Sequence, residues 1–191
     1  MANAHLLTLD SKKIPLSLYI HIPWCVKKCP YCDFNSHTIN KDETLAQTLF
    51  TDYVDALLAD AKSQLAFVQN RKIHSIFIGG GTPSLLPIRE YQRLFLGLKQ
   101  LFDFEDDIEI TLEVNPATIE HAPFSDYLQL GINRLSIGVQ SFDDKTLSIL
   151  GRIHNKDDAI RAIQSAKQAG FKRLNVDLMH GLPNQTSQLA I

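Results

Sequence analysis

The chain has 191 residues, 45% of them hydrophobic, which is enough for one domain with a real core. Its formal net charge of −2 gives no electrostatic reason to expect nucleic acid or an anionic membrane as partner. No apolar run approaches the roughly 20 residues of a membrane span, and the first residues lack the continuous apolar core of a signal peptide, so a cytoplasmic protein is expected.

Residues 1–15 read as an N-terminal extension and residues 16–191 as a core domain built of alternating strands and helices. Leu16–Ile22 is the first expected strand. Asn40-Lys-Asp-Glu43 has the pattern of a capping box, and the helix behind it carries Leu45, Leu49, Leu57, Ala61 and Leu65 on one face. Ile73–Ile78 is the second strand, after which Pro87 opens a helix with Leu94, Leu98 and Leu101. Ile108–Glu113 alternates cleanly as a third strand, followed by a short helical stretch from Thr118 to Leu130 closed by Gly131. Arg134–Val139 is the fourth strand. Asn155 caps a helix carrying Ile160, Ile163, Ala166 and Ala169, and Arg173–Leu178 is the fifth strand. Two segments echo each other, Gly131-Ile-Asn-Arg-Leu-Ser-Ile and Gly170-Phe-Lys-Arg-Leu-Asn-Val. Repeating strand–helix units imply an α/β fold with a parallel sheet, here a partial (β/α) barrel of about five units. A closed eightfold barrel typically needs about 250 residues, so the chain is read as a fragment truncated at its C-terminus.

In such barrels the chemistry gathers where strands end. The first strand runs into Cys25-Val-Lys-Lys-Cys29-Pro-Tyr-Cys32 and the second into Gly79-Gly-Gly-Thr-Pro83. The third ends at Glu113, before Asn115-Pro116; the fourth at Gln140-Ser141; the fifth carries Asp177 before His180-Gly-Leu-Pro183. Polar or glycine-rich groups at five corresponding positions point to a ligand site on one rim. Three cysteines within eight residues read as metal ligands or redox groups rather than as a disulfide framework or as three unrelated core residues. Taken alone, the spacing favours three corners of a [4Fe–4S] cluster, with one iron left open to a ligand's amine and carboxylate. The competitor is a Cys3His zinc site with His21 or His37 as fourth ligand. The glycine run lacks the Gly-Lys-Ser/Thr ending of a phosphate loop, and by itself also suits an ordinary tight turn. Singly, Glu113, Gln140 and Asp177 suit a structural role as well as a binding one; Arg152 reads by default as a solvated loop charge and Tyr19 as a core aromatic. His74, His121 and Lys27 read as surface or packing residues.

The motifs together resemble the radical S-adenosylmethionine superfamily. Tyr19-Ile-His-Ile-Pro-Trp-Cys25, Gly79-Gly-Gly-Thr-Pro-Ser84, Glu113-Val-Asn-Pro116, Arg134–Phe142 and Asp177-Leu-Met-His-Gly-Leu-Pro183 are similar, in that order, to the oxygen-independent coproporphyrinogen III oxidase group. The resemblance implies that Cys25, Cys29 and Cys32 ligate a [4Fe–4S] cluster. It also implies that Tyr19, Gly80, Gly81, Thr82, Glu113, Gln140, Arg152 and Asp177 line an S-adenosylmethionine site, where one electron from the cluster would cleave the sulfonium. Zinc falls behind once these motifs are counted.

One departure selects a branch. The true oxidases carry a fourth cysteine two positions after the third, where this chain has Phe34. Asp33-Phe34-Asn35-Ser36 and Gly151-Arg-Ile-His154 look instead like the oxidase-related haem chaperones, which bind haem and pass it to acceptor proteins, and whose haem motif falls outside these residues. The branch implies haem or porphyrin, a haem-acceptor protein and an electron donor as partners. Porphyrinogen decarboxylation and a zinc-binding structural domain are the alternatives.

Overall fold

The computed structural model describes residues 13–39, 43–118, 122–186 and 188. The expected capping box at residues 40–43, the side chain of Leu45, His121 and most of the N-terminal extension lie outside the described residues. In chain order the elements are strands β1 (Leu16–Ile22), β2 (Trp24–Cys25) and β3 (His37–Thr38), helices α1 (Glu43–Ser63) and α2 (Leu65–Val68), β4 (Ile73–Gly80), α3 (Ile88–Leu101) and β5 (Phe104–Val114). They continue with α4 (Phe124–Gln129), β6 (Arg134–Gln140), α5 (Asp144–Ile149), α6 (Lys156–Gln168) and β7 (Arg173–Leu178).

The main sheet is parallel throughout, in the order β1-β4-β5-β6-β7. Each crossover steps to the next place in the same direction, as in a barrel and unlike a doubly wound sheet, where the order reverses. The expected α/β architecture of five strands is therefore present, as an open sheet with β1 and β7 at its ends. Alternation along each strand divides the side chains by face. Ile20, Ile22, Ile76, Ile78, Ile110, Leu112, Leu135 and Ile137 are buried in the core.

The opposite face is polar. Ser17 and Ser75 are cross-strand neighbours bonded hydroxyl to hydroxyl at 2.8 Å. The echoed segments place Arg134 directly beside Arg173, and both guanidinium groups reach Glu109 Oε2, at 3.4 and 3.3 Å. Tyr19 belongs to this face. It is 57% exposed and stacks on Phe77, so the core-aromatic default was wrong: the pleat gives the core to Leu18, Ile20 and Ile22.

Helix faces differ in detail from the expected ones. On α1 the buried residues are Phe50, Val54 and Ala61; of the expected face Ala61 is buried and Leu57 packs against the core, while Leu49 is exposed and Phe50 takes its place. On α6 the smallest side chains are the most buried, Ala159, Ala162 and Ala166, because alanine lets the helix approach the sheet. Its capping box is formed: Asn155 Oδ1 accepts from the Asp158 N–H, and Asp158 Oδ2 from the Asn155 N–H, each at 2.9 Å. Among the described residues, the stretch after the third strand has a 3₁₀ turn at Pro116–Thr118 and the six-residue α4, which starts behind Pro123. The short α5, capped by Asp143, escaped the sequence reading.

A buried latch connects the core to the glycine segment. Tyr91, fully buried on α3, donates its hydroxyl to the Pro83 carbonyl at 2.8 Å, and Ser84 Oγ bonds Thr118 Oγ1 at 2.7 Å. Tyr91→Phe removes one buried hydrogen bond and is expected to cost about 1–2 kcal/mol. Urea unfolding checks this: the midpoint falls and the slope is unchanged.

Candidate functional site

The three thiols lie on a loop whose base is closed by backbone pairing. β2 and β3 run parallel, with the His37 N–H donating to Pro23 O at 2.7 Å and the Ile39 N–H to Cys25 O at 3.0 Å. Within the loop the Cys32 N–H turns back to Cys29 O, and Lys28 Nζ donates to the Phe34 carbonyl. The glycine segment is fastened to the same place: the Gly81 N–H donates to Ile22 O and the Thr82 N–H to Trp24 O, both at 2.7 Å. Only glycine fits at position 81, since a Cβ there would stand 2.5 Å from Trp24 O and 3.0 Å from Cys25 Sγ.

Between this loop and the strand ends is a cavity of about 370 Å³, within the range of small-ligand sites. Cys25, Cys29 and Cys32 line one side, and Gly80, Gly81, Thr82, Glu113, Gln140, Arg152 and Asp177 line the rest. Of the residues expected from sequence, Tyr19 alone is outside the lining; its hydroxyl bonds His21 Nδ1 at 2.9 Å, further back along β1. Lys27, read as a surface or packing residue, borders the cavity, as do Tyr31, Phe34, Ser136 and Gly138, which went unread as lining. Ser136 and Gly138 had a signal in the sequence, since they share strand parity with Arg134 on the polar face of the sheet.

Glu113 Oε2 accepts the Gly80 N–H at 3.2 Å. Burial pushes its carboxyl above the usual 4.5, the Gly80 bond opposes this, and the neighbouring Asp177 charge adds to the rise. Asp177 is itself held by Ser136 Oγ, at 3.2 Å to each oxygen, and by Asn175 Nδ2 at 2.6 Å. Arg152 is not a solvated loop charge. Its Nη2 donates to Gly138 O at 2.8 Å, its Nη1 approaches Cys29 Sγ at 3.6 Å, and its Nε is buried without a partner. Burial raises the Tyr31 phenol above 10, against the pull of the Arg152 guanidinium.

The donor set fits an iron–sulfur cubane better than zinc. Among the described residues no three His, Cys, Asp or Glu side chains form a group able to hold a single metal ion. Zinc ligands must converge on one point, whereas cubane thiolates serve separate irons. His21 has both ring nitrogens engaged, by Tyr19 and by the Asn35 carbonyl at 2.8 Å, and His37 is exposed on β3. Beside the thiols, an orphaned guanidinium N–H, two carboxylates and a glycine edge suit a zwitterionic ligand carrying hydroxyls.

The pattern of known proteins agrees. The family model described as the radical SAM superfamily matches residues 19–189. The chain is 54% identical to a protein of Haemophilus influenzae and 50% identical to one of Escherichia coli, both named heme chaperone HemW, over 93% of this chain in each case. It spans about 46% of the length of each of these relatives. In structure it is similar to the coproporphyrinogen III oxidase HemN of Escherichia coli, described as a radical SAM enzyme, with a TM-score of 0.80 and 34% identity over 92% of this chain and 39% of that one.

The raised carboxyl gives a pH prediction. Glu113 binds its proton more tightly in the folded chain than in the unfolded one, so its contribution to stability is greatest at low pH and is lost as pH rises from 4.5 through its folded value. Glu113→Gln keeps an acceptor for the Gly80 N–H and removes the buried charge. The variant is expected to melt at a higher temperature than the parent at pH 7 and to narrow that gap at pH 4.5, which thermal melts at the two values measure.

Proposed function

The chain belongs to the radical SAM superfamily, and on that premise we propose that it is the cluster- and S-adenosylmethionine-binding domain of a haem chaperone, a cytoplasmic protein that binds haem and hands it to an acceptor protein. Within the superfamily the reading rests on Phe34. It is 60% exposed and borders the cavity at the position where the oxidases have a further cysteine, and the chain offers no other thiol there. The names of the relatives at 54% and 50% identity support the same branch.

Cys25, Cys29 and Cys32 would hold three irons of a [4Fe–4S] cluster, and residues 16–191 would form the domain that surrounds it. Gly80 and Gly81 backbone and Thr82 suit the ammonium of S-adenosylmethionine, and Arg152 suits its carboxylate. Glu113, Gln140 and Asp177 suit the ribose hydroxyls, while Tyr19 would act from behind through His21. When bound, the pair supplies one-electron reductive chemistry, for which a separate protein or small-molecule electron donor is required. The chain's own contribution is placement: Asp177 is pre-oriented by Ser136 and Asn175, and Glu113 by the Gly80 N–H. No described helix is long and apolar enough to cross a membrane.

A second reading, oxygen-independent decarboxylation of coproporphyrinogen III, is favoured by the structural likeness at TM-score 0.80. The two part in an anaerobic assay of the full-length protein with that porphyrinogen. We expect haem binding and no decarboxylated product; porphyrinogen turnover with stoichiometric 5′-deoxyadenosine would replace the chaperone reading with the oxidase one. The cluster is tested separately by anaerobic reconstitution, with iron and sulfide bound and a broad absorbance near ~400 nm that Cys29→Ala abolishes. A full zinc complement without that absorbance would end the cluster assignment.

A further inference from the structure

β6 does not leave the sheet as its neighbours do. Ile137 pairs with Val176 and Gln140 with Leu178, so Gly138 and Val139 together face the single residue Asp177 on β7. This is a β-bulge, a device that bends a strand and re-aims the side chain beyond it. Gln140 follows with φ +68, a left-handed conformation that a residue with a side chain adopts only under constraint. The bend folds its amide back over position 138, where a Cβ would meet Gln140 Nε2 at 3.0 Å. A glycine there makes room for it.

Backbone carbonyls at a bulge lose regular ladder partners and need others. Two residues of one loop supply them. Arg152 Nη2 donates to Gly138 O at 2.8 Å, and His154 Nε2 lies 3.0 Å from Val139 O. The carbonyl can only accept, so the imidazole carries its proton on Nε2. His154 is 4% exposed, and its Nδ1 is buried with no partner. Protonating that nitrogen would bury an unpaired cation near the Arg152 guanidinium, and burial together with Arg152 lowers the imidazole pKa below 6.5. The same Val139 carbonyl receives the Ser141 N–H at 2.9 Å, closing the turn around Gln140.

We propose that His154 is a positioning residue for the S-adenosylmethionine site: its Nε2–H holds the β6 bulge at Val139, fixing the left-handed Gln140 and the wall shared with Arg152. The inference rests on the reading of the site given above, and touches neither the thiol ligands nor the identity of the cargo.

His154→Leu removes the donor at similar bulk, whereas His154→Gln returns an N–H to nearly the same place. In the cofactor-free protein, amide hydrogen exchange at Gln140 and Ser141 should quicken in the leucine variant and stay close to wild type in the glutamine variant. After anaerobic reconstitution, the leucine variant should bind S-adenosylmethionine about tenfold more weakly, the scale of one lost hydrogen bond, with iron content unchanged, while glutamine restores affinity. Unchanged exchange and affinity in the leucine variant overturn the proposal, as does an equal loss in both variants, which would mean that His154 acts by packing. If wild-type protein binds no S-adenosylmethionine, the site reading fails, and the exchange measurement still decides whether His154 holds the bulge.

Discussion

Two backbone hydrogen bonds hold the site together, from the Gly81 and Thr82 amides to the Ile22 and Trp24 carbonyls. They tie the end of β4 to the segment that leads from β1 into the thiol loop. A side chain at position 81 would collide with Trp24 O, so the tie depends on glycine chemistry and not on packing. The root of the thiol loop is therefore placed relative to the sheet by main chain. The Trp24 ring then fixes the loop's root in the core, edge-on to Phe50 and Tyr53 of α1.

The second constraint is the polarity of the sheet face opposite the core. A closed barrel of this type is filled with branched aliphatic side chains. Here serine, threonine, glutamate, arginine and asparagine occupy that face, and Glu109 serves two arginines. Towards the strand ends the same parity delivers Glu113, Ser136 and Asp177 to the cavity wall. Orientation of the site carboxylates thus grows out of sheet register. Asn175, one pleat behind Asp177 on the same strand, needs only to reach forward to grip it.

Much of this could be read from the sequence because it is local or periodic. The five strands follow from apolar alternation, and the cavity lining follows from looking where each strand stops. The echo of Gly131–Ile137 in Gly170–Val176 was legible as a repeat, while the pairing of Arg134 with Arg173 that it produces came only with the sheet register. What escaped has equally physical causes. Phe50 and Leu49 both satisfy a helical stripe, and only tertiary packing chooses between them. Tyr19 looked like core because aromatic bulk outweighs parity in a one-dimensional reading. The bulge at Gly138–Val139 is a property of two strands at once, since neither β6 nor β7 alone states how they align. His154 was visible only as part of a resemblance, because its role depends on a carbonyl fifteen residues away.

Arg152 shows how these constraints meet. A guanidinium has five N–H donors. One goes to Gly138 O at the bulge and one points to Cys29 Sγ, so the side chain spans from strand end to thiol loop. The three left over include the buried Nε–H, which has no partner in the protein. The guanidinium is therefore part of the wall that joins β6 to the thiols. A lysine there could supply charge, but not this division of donors between strand carbonyl and thiol.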